Sequence, residues 1–379
     1  MKIASFFSGA GGMDLGFILS GHEIVFSIDF NHTAYRTYNN NITKYMPHKS
    51  IYEDITYYIP TQKDVENKIP DMDILVGGFP CQGFSIANLK RSMEDKRNFL
   101  YLELLKVIRV KQPKFVILEN VKGLSNMEKG RVLITILNDI EELGYNVTYN
   151  IFNMADYGVP QKRERVIIFG VRNDIFNTEE FKKFVIQTEV YRDFKKRDLR
   201  NTYYRFLEQN YRKFYIKPTH DKDSNIPDVV KPHEFIEDLF TSFKQGKLKE
   251  RLDKFQRSDT IYKWNTLKDA IGDLPLTPNG ENNHVAPKNK LDIKDRVGQR
   301  PTYWDKPSPT IITATSLPHP SLKRRMTIRE LARIQTFPDS FFFEGGVTAG
   351  LTQVGNAVPP LFTFHLGMVL REYEKSVVV

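Results

Sequence analysis

The chain has one cysteine in 379 residues. A single thiol excludes an intrachain disulfide framework, and it excludes any zinc or iron–sulfur site built from several cysteine ligands. No metal is therefore expected. No uninterrupted apolar run reaches the length of a membrane span, so no membrane association is expected either. The first seven residues start like a signal peptide, but Ser8, a cluster of glycines and Asp14 break the apolar stretch that a leader needs. A cytoplasmic setting is expected, in keeping with an unpaired thiol. Low-complexity tracts and internal repeats are also missing. With 40% hydrophobic and 27% charged residues, the composition is that of a folded protein rather than a disordered one.

Charge is in modest positive excess, 55 Lys and Arg against 46 Asp and Glu, for a formal +9. Its distribution is more informative than its sum. Positions 181–220 hold eleven Lys or Arg against four acids, interleaved with ten Phe or Tyr. Cations among rings suit a phosphate backbone and exposed bases. A solvated basic face over an aromatic core has the same composition, and composition alone does not separate the two.

Up to about residue 170, short β-rich apolar runs alternate with segments of helical period, which predicts an α/β fold with a doubly wound, Rossmann-like parallel sheet. The expected strands are 3–7, 24–29, 73–77, 115–119, 146–152 and 166–170. Leu100, Leu104, Val107 and Ile108 share one helical face, as do Leu133, Ile136, Leu137 and Ile140 before a C-capping Gly144. From 172 to 320 the alternation stops, and a second, smaller domain is expected there. Inside it, Thr266 opens a short helix that ends at Gly272. Regular structure resumes where Thr327 and Glu330 form a capping box, and a helical period follows Pro359-Pro360. The expected division is 1–171, 172–320, and a segment 321–379 that returns to the first domain.

The chemistry-bearing residues sit at the expected carboxyl ends of strands, where open α/β sheets bind ligands. After the first strand comes Phe7-Ser8-Gly9-Ala10-Gly11-Gly12-Met13-Asp14, a glycine turn that lets a helix N-terminus approach a nucleotide. Asp29 closes the second strand, where an acid can accept from both ribose hydroxyls. The position that a dinucleotide fingerprint reserves for glycine is Asp14, which speaks against a pyrophosphate and for an adenosine cofactor without one. S-adenosylmethionine is the leading candidate. Asp54 is placed to meet an adenine amino group. The lone cysteine lies in Gly77-Gly78-Phe79-Pro80-Cys81-Gln82-Gly83-Phe84-Ser85, and Glu119 ends a neighbouring strand, so a thiol and a carboxyl should share one crevice. Arg163 and Arg165, two apart, should point to one side of an extended segment, unless they are a surface charge pair.

These segments, together with Glu119-Asn120-Val121, Gln161-Lys162-Arg163-Glu164-Arg165, the run 329–339 and Gln353-Val354-Gly355-Asn356-Ala357-Val358-Pro359-Pro360, occur in an order that resembles the motif series of the DNA cytosine-5 methyltransferases. The resemblance covers 1–170 and roughly 305–370, and residues 172–320 match the family's variable target-recognition region in position and size. It implies a restriction–modification type enzyme of a prokaryotic cell, associated with the nucleoid, acting on double-stranded DNA as a monomer, with a cognate restriction endonuclease as possible partner. It implies S-adenosylmethionine as cofactor and S-adenosylhomocysteine as product. By the same resemblance Cys81 is the nucleophile, Glu119 the acid at cytosine N3, and Arg163 and Arg165 the anchors of the base. Phe7, Gly9, Gly11, Gly12, Asp29, Phe30, Asp54, Ile55, Pro80, Leu100 and Asn356 match cofactor positions, and Gln82, Ser85 and Thr310 match nucleic-acid contacts. Two other readings compete with this one. A transfer RNA methyltransferase of the same architecture resembles a shorter recognition region with a second cysteine, which is missing here. A silent nucleic-acid binder would have no use for an intact Cys81, Glu119, Arg163 and Arg165.

Overall fold

In the computed structural model the described residues are 1–80, 100–188, 191–192, 213–214, 216–226, 231–255, 260–287, 300–313 and 316–377. Seven strands form the central sheet: β1 (Lys2–Phe6), β2 (Glu23–Asp29), β3 (Lys49–Tyr52), β4 (Ile74–Gly77), β5 (Phe115–Val121), β6 (Tyr145–Asn153) and β7 (Glu164–Arg172). Their order is β3-β2-β1-β4-β5-β7-β6. The sheet is wound in both directions from β1 and β4, and that reversal opens a crevice at the strands' carboxyl ends.

The pairs among β1 to β5 are parallel, as expected, but β7 runs antiparallel to both β5 and β6. Only residues 154–163 link β6 to β7, with no crossover helix to carry the chain back to the start, so the pair must be antiparallel. β3 was not expected from the sequence. It is a four-residue edge strand of half-exposed side chains, with neither the length nor the buried run that marks the others.

Side chains alternate between two cores, one on each face of the sheet. Ile3, Ile74, Val76, Phe115, Ile117 and Phe169 belong to one, and Ala4, Phe6, Leu75, Val116, Leu118 and Ile168 to the other. Burial of each large side chain contributes about 1.5–3 kcal/mol, and strands covered on both faces read as continuous apolar runs. The helices named below are α1 (Gly12–Leu19), α2 (His32–Tyr38), α3 (Leu100–Lys111), α4 (Arg131–Glu141), α5 (Pro232–Lys244), α6 (Leu267–Ile271), α7 (Ile328–Ile334), α8 (Val347–Asn356) and α9 (Pro360–Val377). α3 and α4 cover the second face with the stripes anticipated from their period. α1, α5 and α9 cover the first.

The caps anticipated at α6 and α7 are present. Thr266 and Thr327 each accept the N3 amide while Asp269 and Glu330 reach back to the cap backbone. α9 lies directly on α1, and a Cβ at Gly16 would run into Thr363 and the carbonyl of Pro360, while one at Gly367 would run into Ser20. Helix α5 falls within 172–320, yet it packs on the first face: Phe235 and Phe364 are 5.3 Å apart, ring to ring. Part of that region thus shares a core with the sheet.

Candidate active site

The glycine turn bends back on itself at the end of β1, with Phe7 (φ 56°), Gly9 (φ 55°) and Gly11 (φ 90°) all left-handed. At Gly11 a side chain would also strike Tyr38 and Ile42, so the position needs glycine twice over. The amides of Gly9 and Asn31 donate to the two oxygens of Asp29, each at 2.8 Å. This locks the end of β2 to the turn and leaves further lone pairs of Asp29 able to accept from a ligand. Burial pushes the Asp29 carboxyl above its ordinary value, and these two amides oppose the shift. The adjacent Phe30 ring is 64% exposed, a surface on which a flat base can stack.

Next along the crevice, Gly77 and Gly78 bring the chain off β4 beside Glu119, so close that a Cβ at Gly78 would sit 3.3 Å from Glu119 Oε2. Asn120 Nδ2 donates to the Phe79 carbonyl at 2.9 Å and pins this stem. Glu119 is 8% exposed and pairs with Arg165 Nε at 2.8 Å. Its carboxyl is raised by burial, with Arg165 and Arg163 pulling the other way. Cys81, Gln82 and Ser85 lie outside the described residues; Pro80, the last residue described on the stem, lines the crevice.

The far wall comes from the other end of the chain. Arg163, fully buried, donates to the carbonyls of Ile311 (3.1 Å), Gly355 (2.9 Å) and Ala357 (3.0 Å). Desolvation lowers its pKa to about 9, and its Nε has no partner. Gln161 accepts from the Ile311 amide and donates to Gln335, which in turn donates to the Val354 carbonyl. Thr310 donates to the Lys162 carbonyl at 2.7 Å and holds its own segment against the start of β7.

One cleft of about 430 Å³ joins these parts, a size that suits a small-molecule cofactor. Among the residues anticipated for catalysis, Glu119, Arg163 and Arg165 line it; among those anticipated for a cofactor, Phe7, Gly9, Gly12, Asp29, Phe30, Pro80 and Asn356 do. Gly11, Asp54, Ile55, Leu100 and Thr310 are not on its lining. Asp54 instead caps the helix Ile55–Tyr58, accepting from the amide and hydroxyl of Thr56, and Ile55 is buried beneath it. Ser5, Asp14, Asn31 and Gln353 line the cleft without having been assigned to it from sequence. Gln353 is 6% exposed and its Oε1 has no partner, an acceptor left for a ligand. Its polar type inside the motif 353–360 was the available signal. Among the described residues no group of acids, histidines or cysteines could hold a metal, and no helix is long and apolar enough to cross a membrane.

Comparison with known proteins bears on the family and the fold. A family model described as C-5 cytosine-specific DNA methylase matches residues 1–372. The type II methyltransferase M.NgoFVII of Neisseria gonorrhoeae is 34% identical over 371 residues, covering 95% of this chain and 83% of that protein. M.FnuDI of Fusobacterium nucleatum is 30% identical over 98% of this chain and 94% of its own length. Among solved structures, a prophage-encoded DNA modification methyltransferase of Escherichia coli superposes with a TM-score of 0.59 at 21% identity, and Spodoptera frugiperda DNMT2 with 0.59 at 16%, each spanning at least 98% of both chains. These two report on the fold alone. The family match over nearly the whole length, together with the curated relatives, identifies the chain as a member of the C-5 cytosine-specific DNA methylase family.

Proposed function

We propose that this enzyme moves a methyl group from S-adenosylmethionine to carbon 5 of a cytosine turned out of duplex DNA, with Cys81 as nucleophile. The observation that carries the assignment of roles is the buried Glu119–Arg165 pair beside the glycine stem that leads to Cys81. S-adenosylmethionine fits the cleft's donor and acceptor set. The Phe30 face suits adenine, Asp29 suits the ribose, and the orphaned acceptor of Gln353 suits an ammonium. When bound, the cofactor supplies an electrophilic methyl on a sulfonium.

Carbon 5 of cytosine is too electron-poor to attack such a methyl unaided. Addition of the Cys81 thiolate to carbon 6 makes it nucleophilic. Glu119 supports that addition by donating to N3, and burial, which raises its pKa, favours uptake of the proton it donates. Nearby guanidinium charge favours the thiolate over the thiol. Loss of the carbon-5 proton and then of Cys81 restores the ring. Arg165 orients Glu119, whereas Arg163, its terminal nitrogens spent on carbonyls, holds the wall against which the base is placed.

Rotation of the base costs on the order of a few kcal/mol. Cations from 172–320, the segment 181–220 among them, would offset this through phosphate contacts, with Gln82, Ser85 and Thr310 adding contacts near the turned-out nucleotide. The curated relatives are type II methyltransferases of bacteria, which supports work in a restriction–modification system; action as a monomer, beside an endonuclease of the same target and inside a prokaryotic cell, belongs to the same reading. The deciding experiment offers labelled S-adenosylmethionine to unmethylated duplex DNA and to transfer RNA, with bisulfite sequencing of the product. Label on DNA cytosines at one short sequence is expected. Label confined to RNA would overturn the reading.

A further inference from the structure

Asp14 takes part in none of these steps, yet it is 1% exposed and lines the cleft. Its oxygens accept from Ser5 Oγ and Tyr38 Oη, each at 2.7 Å. Both donors are neutral. Burial raises its pKa to about 6. The ionisable group in contact with it is Tyr38 on α2, and Asp29 on β2, Glu119 on β5, Arg163 just ahead of β7 and Arg165 on β7 share the cleft lining; α9, which packs on α1, carries His365 and Arg371, and His22 follows α1. α8 contributes only uncharged Thr352, Gln353, Gly355 and Asn356 to the lining. Arg165 is committed to Glu119 and Arg163 to carbonyls, and among the described residues no cation pairs with Asp14. The cleft lining thus carries Asp14 and Asp29, neither with a cation partner among the described residues, beside arginines that are already engaged.

The hydrogen-bonded row continues beyond Tyr38. Its phenol also meets Ser27, and Ser27 Oγ lies 3.0 Å from His48 Nε2. His48 Nδ1 is 2.8 Å from the Met46 carbonyl, so Nδ1 carries the ring proton and Nε2 accepts.

We propose that Asp14 distinguishes the cationic cofactor from its uncharged product by giving up its proton when the cation binds. This rests on the S-adenosylmethionine reading above. The two ligands share adenosine, carboxylate and ammonium and differ by the sulfonium charge. Asp14 is itself buried from solvent, so a charge beside it acts on its carboxylate with little screening. By linkage, a cation that prefers ionised Asp14 lowers its pKa, and its disappearance after methyl transfer lets the proton return and leaves the product without that attraction.

Calorimetric binding of S-adenosylmethionine and S-adenosylhomocysteine to the full chain, from about pH 5 to about pH 7 in two buffers of different ionisation enthalpy, tests this. The affinity ratio should rise about tenfold with pH, as a shift of about one pKa unit on binding requires. Proton release should accompany the cation alone. Asp14→Asn should flatten the ratio, and Tyr38→Phe, which removes one donor and raises Asp14 further, should move the rise to higher pH. A ratio indifferent to pH in the unaltered protein, or equal losses of both ligands in Asp14→Asn, would overturn the proposal. If Asp14→Asn does not fold, the profiles of the unaltered protein and Tyr38→Phe decide. Failure of both ligands to bind the unaltered protein would instead refute the cofactor reading on which it stands.

Discussion

Glu119 and Arg165 meet at 2.8 Å inside the protein, and a pair so placed is costly unless both members are used. Glu119→Gln keeps a donor for cytosine N3 but cannot deliver a proton, so kcat should fall by about 10²–10⁴-fold with KM for DNA little changed. Steady-state kinetics on a duplex of known target would show it, and a matching rise in KM would point to a binding role instead. Cys81→Ala should abolish transfer while DNA and cofactor binding, measured by filter retention and calorimetry, persist. Parallel loss of binding would make the cysteine structural. At this scale an acid ending a strand was legible, since Glu119 stands on the cleft as anticipated, whereas Cys81 lies outside the described residues. The buried partners of Arg163 could not be read beforehand, because carbonyls of Ile311, Gly355 and Ala357 have no identity in a sequence.

Helices with a regular period and a cap were anticipated well, since Thr266, Thr327 and the stripes of α3 and α4 act locally. The short edge strand β3 and the reversed β7 were not, because edge position and strand direction are settled by neighbours far along the chain. The contact between α1 and α9 sets two local and non-local terms against each other. Gly16→Ala should gain about 0.5–1 kcal/mol of helix propensity, but the new methyl meets a backbone carbonyl that cannot move aside. Overpacking of this kind costs about 1–3 kcal/mol, so net destabilisation is expected, with a lower midpoint in urea and an unchanged slope. A higher midpoint would mean that the two helices separate easily.

For the molecule as a whole, electrostatics at the surface and in the cleft should respond differently to salt. DNA affinity should fall linearly on a log–log plot, with a slope of about −0.9 for each phosphate neutralised, while S-adenosylmethionine affinity changes little. Titrations at several ionic strengths would show whether the two separate. The means by which the far wall meets the sheet was not legible in the order of motifs: Arg163, Gln161 and Gln335 tie positions 311, 335 and 354–357 to the start of β7. That seam has a bearing on timing. A chain still on the ribosome holds β1, the glycine turn and Glu119 long before the residues of the far wall exist. Competence to methylate therefore arrives as a single late event of translation, and unfinished copies are silent.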